Sequence, residues 1–174
     1  MVEAGLVYAN LAIEHGDDYI RNKVIKKNLA REKIFEVVAL LKKYKVMTSG
    51  YFIMGFPEDT NETLQSTYDM LEEIHLDTAA VHPLQPFPGT ALFKQVIKDK
   101  LLLHNWNLDE LWKTPVSSWQ ADFLIKPYDM SIDDLHKWRE KFDLMKVKYW
   151  KTNADQTPGK NIGIDSSSST PRVT

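Results

Sequence analysis

No cysteine occurs among the 174 residues. Disulfides, thiol catalysis and thiolate ligands for an iron–sulfur cluster are therefore excluded within this chain. Charge is nearly balanced: 22 Lys and Arg stand against 24 Asp and Glu, a net charge of −2. No strong field is available to draw nucleic acid or an anionic membrane surface, and neither is expected as a partner. No apolar run approaches the roughly 20 residues that span a bilayer. The opening Met1-Val2-Glu3-Ala4-Gly5-Leu6 also lacks the basic region and apolar stretch of a secretory leader, so a cytoplasmic protein is the expectation. Serine-elbow, Walker and Rossmann glycine fingerprints are absent. The five histidines, at positions 15, 75, 82, 104 and 136, have no close paired spacing, and no metal site is expected from them.

What is present is ample apolar content, 43%, enough for one sizeable core over residues 1–150. Leu6 to Ile13 is a mainly apolar run that ends in Glu14-His15-Gly16-Asp17-Asp18 and reads as a strand and polar loop. Ile20, Val24 and Ile25 mark a helical stretch from Tyr19 to Lys27. A stronger helix follows, with Ile34, Val37, Val38, Leu41 and Tyr44 on one face. Met47 to Met54 is a second strand, closed by Gly55-Phe56-Pro57-Glu58. Asp59, three residues before Glu62, predicts a capping box for a helix whose apolar face is Leu64, Tyr68, Leu71 and Ile74. Thr78 to Leu84 predicts a third strand, Ala91 to Lys98 a further helix.

Apolar, non-alternating strands that recur with helices indicate a parallel sheet covered by helices, an α/β fold. A closed eightfold barrel needs about 250 residues. Three βα units therefore predict a partial, half-barrel of TIM type with open edges, followed by C-terminal helices. The aromatic stretch from Leu101 to Pro127, with Trp106, Trp112 and Trp119, carries no assignable period. Ser131 and Asp134 then cap a helix with Leu135, Trp138, Phe142, Met145 and Tyr149 on one stripe. Residues 151–174, rich in Ser, Thr, Asn and Gly, predict a disordered tail.

In parallel βα folds chemistry gathers at the carboxyl ends of the strands. There stand Glu14 to Asp18, Gly55 to Glu58, and His82-Pro83-Leu84-Gln85-Pro86-Phe87-Pro88-Gly89-Thr90. In order and spacing these loops resemble the second half of the barrel of radical S-adenosylmethionine (SAM) enzymes, particularly the branch with an amino-terminal cobalamin-binding domain. Leu11 to Gly16 and the following Val24-Ile25-Lys26-Lys27 resemble that family's fourth strand and next helix. Ile53, Gly55 and Glu58 align with its fifth-strand element, which cradles the adenine, while Tyr51 stands where the first glycine is usual. Pro86 to Thr90 resembles the turn after the sixth strand.

The resemblance implies a partial SAM site made of Glu14, Lys27 (or Lys26), Ile53, Gly55, Glu58, His82 and Gln85. It also implies a 4Fe–4S cluster, and cobalamin in that branch, in the full-length enzyme. Neither is held by this chain, so it is expected to be inactive alone. Glu14 suits ribose hydroxyls or the methionyl ammonium, Lys27 the methionyl carboxylate. Each residue also has an ordinary use: Glu14 as a solvated loop acid, the lysines as a solvated helix face, Gly55 as a turn, Glu58 beside a helix start, His82 as a hydrogen-bonded histidine. The partner expected is the missing amino-terminal half of the barrel or another copy, joined through the open sheet edge. An interaction module that completes its barrel in this way is the competing reading, and chance imitation by an unrelated βα protein is the third.

Overall fold

The computed structural model describes residues 2–103 and 122–153, with the side chains of 146–153 excepted. Trp106, Trp112, Trp119 and residues 154–174 of the expected tail lie outside them. Three parallel strands, β1 (Tyr8–Glu14), β2 (Met47–Met54) and β3 (Thr78–Pro83), form one sheet in the order β1-β2-β3. The strands are joined by α1 (Arg31–Lys43) and α2 (Asn61–Glu73), and α3 (Ala91–Lys98) and α4 (Ile132–Asn153) follow. This is the α/β arrangement read from the sequence, with strand neighbours in sequence order as a TIM-type barrel requires.

The sheet has two unlike faces. Ile13, Phe52, Met54 and Val81 are buried with Ile34 and Val38 of α1, Leu64, Met70 and Leu71 of α2, and Leu135, Phe142 and Met145 of α4. Each such side chain contributes about 1.5–3 kcal/mol by leaving water. The stripe expected on α4 is thus covered by the sheet and by α2, save that the side chain of Tyr149, expected on the same stripe, lies outside those described. On the opposite face Tyr8, Asn10, Ala12 and Tyr51 are exposed. A second, smaller cluster of Ile20, Phe56, Leu84, Val96, Leu124 and Ile125, with Ile53 against it, gathers residues that follow the strands.

Three local expectations are corrected. β1 runs Tyr8–Glu14 rather than from Leu6. Tyr19 to Lys27 is not a regular helix: it holds one π-helical turn, Ile20–Val24, because Arg21 turns inward and is fully buried. The box that opens α2 is made by Thr60 and Thr63, each side chain bonded to the other's backbone N–H, not by Asp59 and Glu62. Ser131 does cap α4, accepting from the Asp134 N–H at 3.1 Å.

At the amino ends of the strands, Asp77 binds α1, β2 and β3 together. Its carboxylate accepts the Thr48 N–H at 2.7 Å and the Thr48 hydroxyl at 2.9 Å, and pairs with Lys42. Burial pushes this carboxyl's pKa up, but the hydrogen bonds from Lys42 and Thr48 outweigh it and hold the group below its ordinary value. No described helix is long and apolar enough to cross a membrane.

Candidate functional site

With all strands parallel, the segments after β1, β2 and β3 leave from the same end of the sheet. The first begins with a bulge: Ala12 pairs with Tyr51, but the next residue of β2, Phe52, pairs with Glu14. A bulge re-aims the side chain that follows it. The His15 N–H donates to the Ile13 carbonyl at 3.0 Å, closing a three-residue turn with Glu14 at φ 71°. A positive φ at a glutamate is strained, and strain of this kind persists where surroundings over-determine it.

Those surroundings are visible. Arg21 donates to the carbonyls of His15 (2.8 Å), Gly16 (3.1 Å) and Leu29 (2.8 Å) and pairs with Asp18. The Gly16 N–H donates to Thr67 Oγ1 of α2 at 2.9 Å. A Cβ at Gly16 would lie 2.3 Å from the Thr67 Cα, so glycine is required for this approach. The outcome is a half-buried Glu14 carboxylate that accepts from Lys27 Nζ at 2.9 Å. The expected pair of groups is therefore side by side, and of the two candidate lysines it is Lys27 that reaches Glu14.

The turn after β2 is held from below by Asp59. Its Oδ2 accepts the N–H groups of Gly55 (2.7 Å) and Phe56 (2.9 Å). Its Oδ1 accepts the Thr63 hydroxyl at 3.1 Å and lies 3.1 Å from His15 Nε2. Gly55 adopts φ 92°, in the region that favours glycine, and the side where a Cβ would stand is covered by the Phe123 ring at 3.6 Å. Glu58 reaches α3: its Oε1 accepts from Gln95 Nε2 at 2.8 Å. Its Oε2 is buried with no hydrogen-bond partner among the described residues. Ile53 packs beside Leu84 and Phe56.

After β3, His82 lies opposite Ile53 in the sheet and is stacked parallel to Tyr51, with ring centroids 6.2 Å apart and planes at 18°. Gln85 Nε2 is buried without a hydrogen-bond partner among the described residues. The Thr90 hydroxyl in the following turn caps α3 through the Phe93 N–H.

A buried acceptor and a buried donor left unmade are expensive in a folded protein and mark places where a ligand could bond. By type, these atoms and the Glu14–Lys27 pair are donors and acceptors of the kind that a polar, zwitterionic nucleoside such as SAM uses. They do not fit an iron–sulfur cluster, because the chain has no cysteine to supply thiolates. Among the described residues no three His, Asp or Glu side chains cluster for a metal. Sequence reasoning missed His15, Arg21, Asp59 and Thr67. Their roles depend on contacts between loops far apart in the chain, which no local pattern reports.

Comparison with known proteins agrees with the resemblance. Residues 1–71 match the Radical SAM superfamily. The chain is 37% identical over 71 residues, 41% of its length, to bacteriochlorophyllide d C-12(1)-methyltransferase of Chlorobaculum tepidum. It is 31% identical over 107 residues, 61% of its length, to an uncharacterized methyltransferase of Pyrococcus horikoshii. It is also 32% identical over 85 residues, 48% of its length, to a tRNA-2-methylthio-N(6)-dimethylallyladenosine synthase of a Ruegeria species. The matched stretches span 15%, 23% and 19% of those relatives. Residues 1–71 are thus similar to the radical SAM superfamily, and the three parallel βα units form an α/β fold consistent with part of that superfamily's TIM-type barrel.

Proposed function

We propose that this chain supplies the carboxy-terminal part of a radical SAM catalytic domain and contributes one side of its SAM site. The observation that carries the reading is the Glu14–Lys27 pair, held on a strained turn at the same end of the sheet as the Gly55 turn and the His82 to Thr90 loop. In this reading Glu14 accepts from ribose hydroxyls or the methionyl ammonium, and Lys27 pairs with the methionyl carboxylate. Gln85 and Glu58 offer their unpartnered atoms to the ligand, and Ile53, Gly55 and His82 form the wall near the base. A bound cluster would supply the electron that cleaves SAM; its thiolates must come from outside this cysteine-free sequence, so the chain is inactive alone. A cobalamin, where the full-length enzyme uses one, is likewise held elsewhere. A cytoplasmic setting accords with such chemistry.

Titration calorimetry of the 174-residue chain with SAM tests the reading. A partial site forfeits contacts, so the expected Kd is on the order of 1 mM. Glu14→Gln removes the charge and should weaken binding at least about tenfold, the scale of one charged hydrogen bond. Equal binding by the variant, or micromolar stoichiometric binding by the wild type, would contradict the proposal.

An interaction module is the second reading. It is favoured by β1, which among the described residues pairs on one edge only, and by the exposed Val7 and Tyr8 at that edge. In either reading the partner is the amino-terminal half of the barrel or another copy. Growth of molar mass with concentration in light scattering is what pairing between copies requires.

A further inference from the structure

We infer that His15 and Asp59 are positioning residues: a buried latch that keeps the Glu14 turn and the Gly55 turn in one register. The inference deepens the nucleoside-binding reading and rests on it. Both side chains are fully buried, so neither has a surface with which to touch a ligand. Whatever they do, they do through the turns they hold.

The sheet cannot do this work. Pairing of β1 with β2 ends at Glu14 opposite Phe52, and beyond that point no ladder fixes one loop against the other. The Gly16–Thr67 bond ties the first loop to α2, not to the second loop. The latch spans the gap. Asp59 takes four donors: the Gly55 and Phe56 N–H groups on one oxygen, the Thr63 hydroxyl and His15 Nε2 on the other. That set suits the ionised carboxylate.

The ring's other nitrogen completes the connection. His15 Nδ1 accepts the Asp17 N–H at 3.0 Å. Nδ1 must then be bare, leaving the proton on Nε2 to be donated to Asp59. The ring thus joins the backbone that follows Glu14, at His15 and Asp17, to the carboxylate that holds the Gly55 and Phe56 amides. Any slide of one turn past the other stretches the His15–Asp59 bond.

The test is a set of amide nitrogen–proton NMR spectra of the 174-residue chain, with and without SAM, for wild type, His15→Leu and His15→Gln. Glutamine keeps an N–H within reach of Asp59 but not the Nδ1 acceptor; leucine keeps neither. Without ligand, His15→Leu should shift the amides of Glu14, Gly55 and Phe56 together, and His15→Gln should return Gly55 and Phe56 to their wild-type positions. With SAM, His15→Leu should bind on the order of tenfold more weakly, as when a partner that orients a ligand-binding group is lost, and His15→Gln should recover most of that loss.

Unmoved Gly55 and Phe56 amides in His15→Leu, unchanged SAM affinity, or a glutamine variant as impaired as the leucine one would overturn the inference; the last would mean the ring only fills space. Should His15→Leu fail to fold, His15→Gln against wild type still decides. The Asp17 amide should then move while Gly55 and Phe56 stay, and movement of all three would overturn the latch. If wild type shows no SAM response but the ligand-free coupling is present, the nucleoside reading fails and the mechanical link between the two turns stands.

Discussion

A single methyl group at Gly16 is enough to separate the Glu14 turn from α2. The added Cβ of Gly16→Ala would meet the Thr67 backbone at 2.3 Å, and backbone cannot swing aside as a flexible side chain can. The expected cost is about 1–3 kcal/mol, more than the fraction of a kcal/mol that restricting the unfolded chain returns. Urea unfolding of the wild type and Gly16→Ala measures it; equal midpoints would mean that the loop does not seat on α2. At this scale the sequence reveals residue type more readily than partner. Glu14 was visible as a carboxylate at a strand end, and Lys27 as a cation after it, but their pairing depends on a bulge that no pattern announces. Asp59 read as a cap because it precedes Glu62 by three positions. Thr60 and Thr63 have the same spacing and make the cap, which leaves Asp59 for His15 and the Gly55 turn.

Between elements, the two ends of the sheet are organised alike: a buried aspartate at each end ties separate segments together. Asp59 serves the end that bears the candidate site, Asp77 the opposite end, where residues in βα folds act on stability. Because the folded pKa of Asp77 is depressed, its contribution is fully present above the ordinary carboxylate pKa of about 4 and is lost as pH falls through the lower folded value. Asp77→Asn should therefore cost about 2 kcal/mol at pH 7, and the gap to wild type should close as the pH is lowered below about 4. Thermal unfolding across pH 2.5–7, on the order of six conditions, checks this; a gap that keeps its size at low pH would show that the charge is not what stabilises. Strands β2 and β3 and helices α1 to α4 were legible because apolar runs and three- to four-residue spacing survive packing unchanged. The stretch after Tyr19 was not. Its period is helical, but Arg21 spends its guanidinium on carbonyls of residues 15, 16 and 29 and bends the backbone into a single wide turn.

For the whole molecule, the sequence order β1-β2-β3 and one helix-covered face follow from apolar strands alternating with helices. What lies on the other face is a matter of assembly. Tyr8, Asn10, Ala12 and Tyr51 are exposed there, where a closed barrel would have its interior. The central claim is that three loops, separate in sequence, address one ligand. Mapping SAM-induced shifts on the wild-type amide spectrum tests it most directly. Glu14, Gly55, His82 and Gln85 should respond together, with a single dissociation constant. Response by one loop alone, or by different loops with different constants, would contradict it.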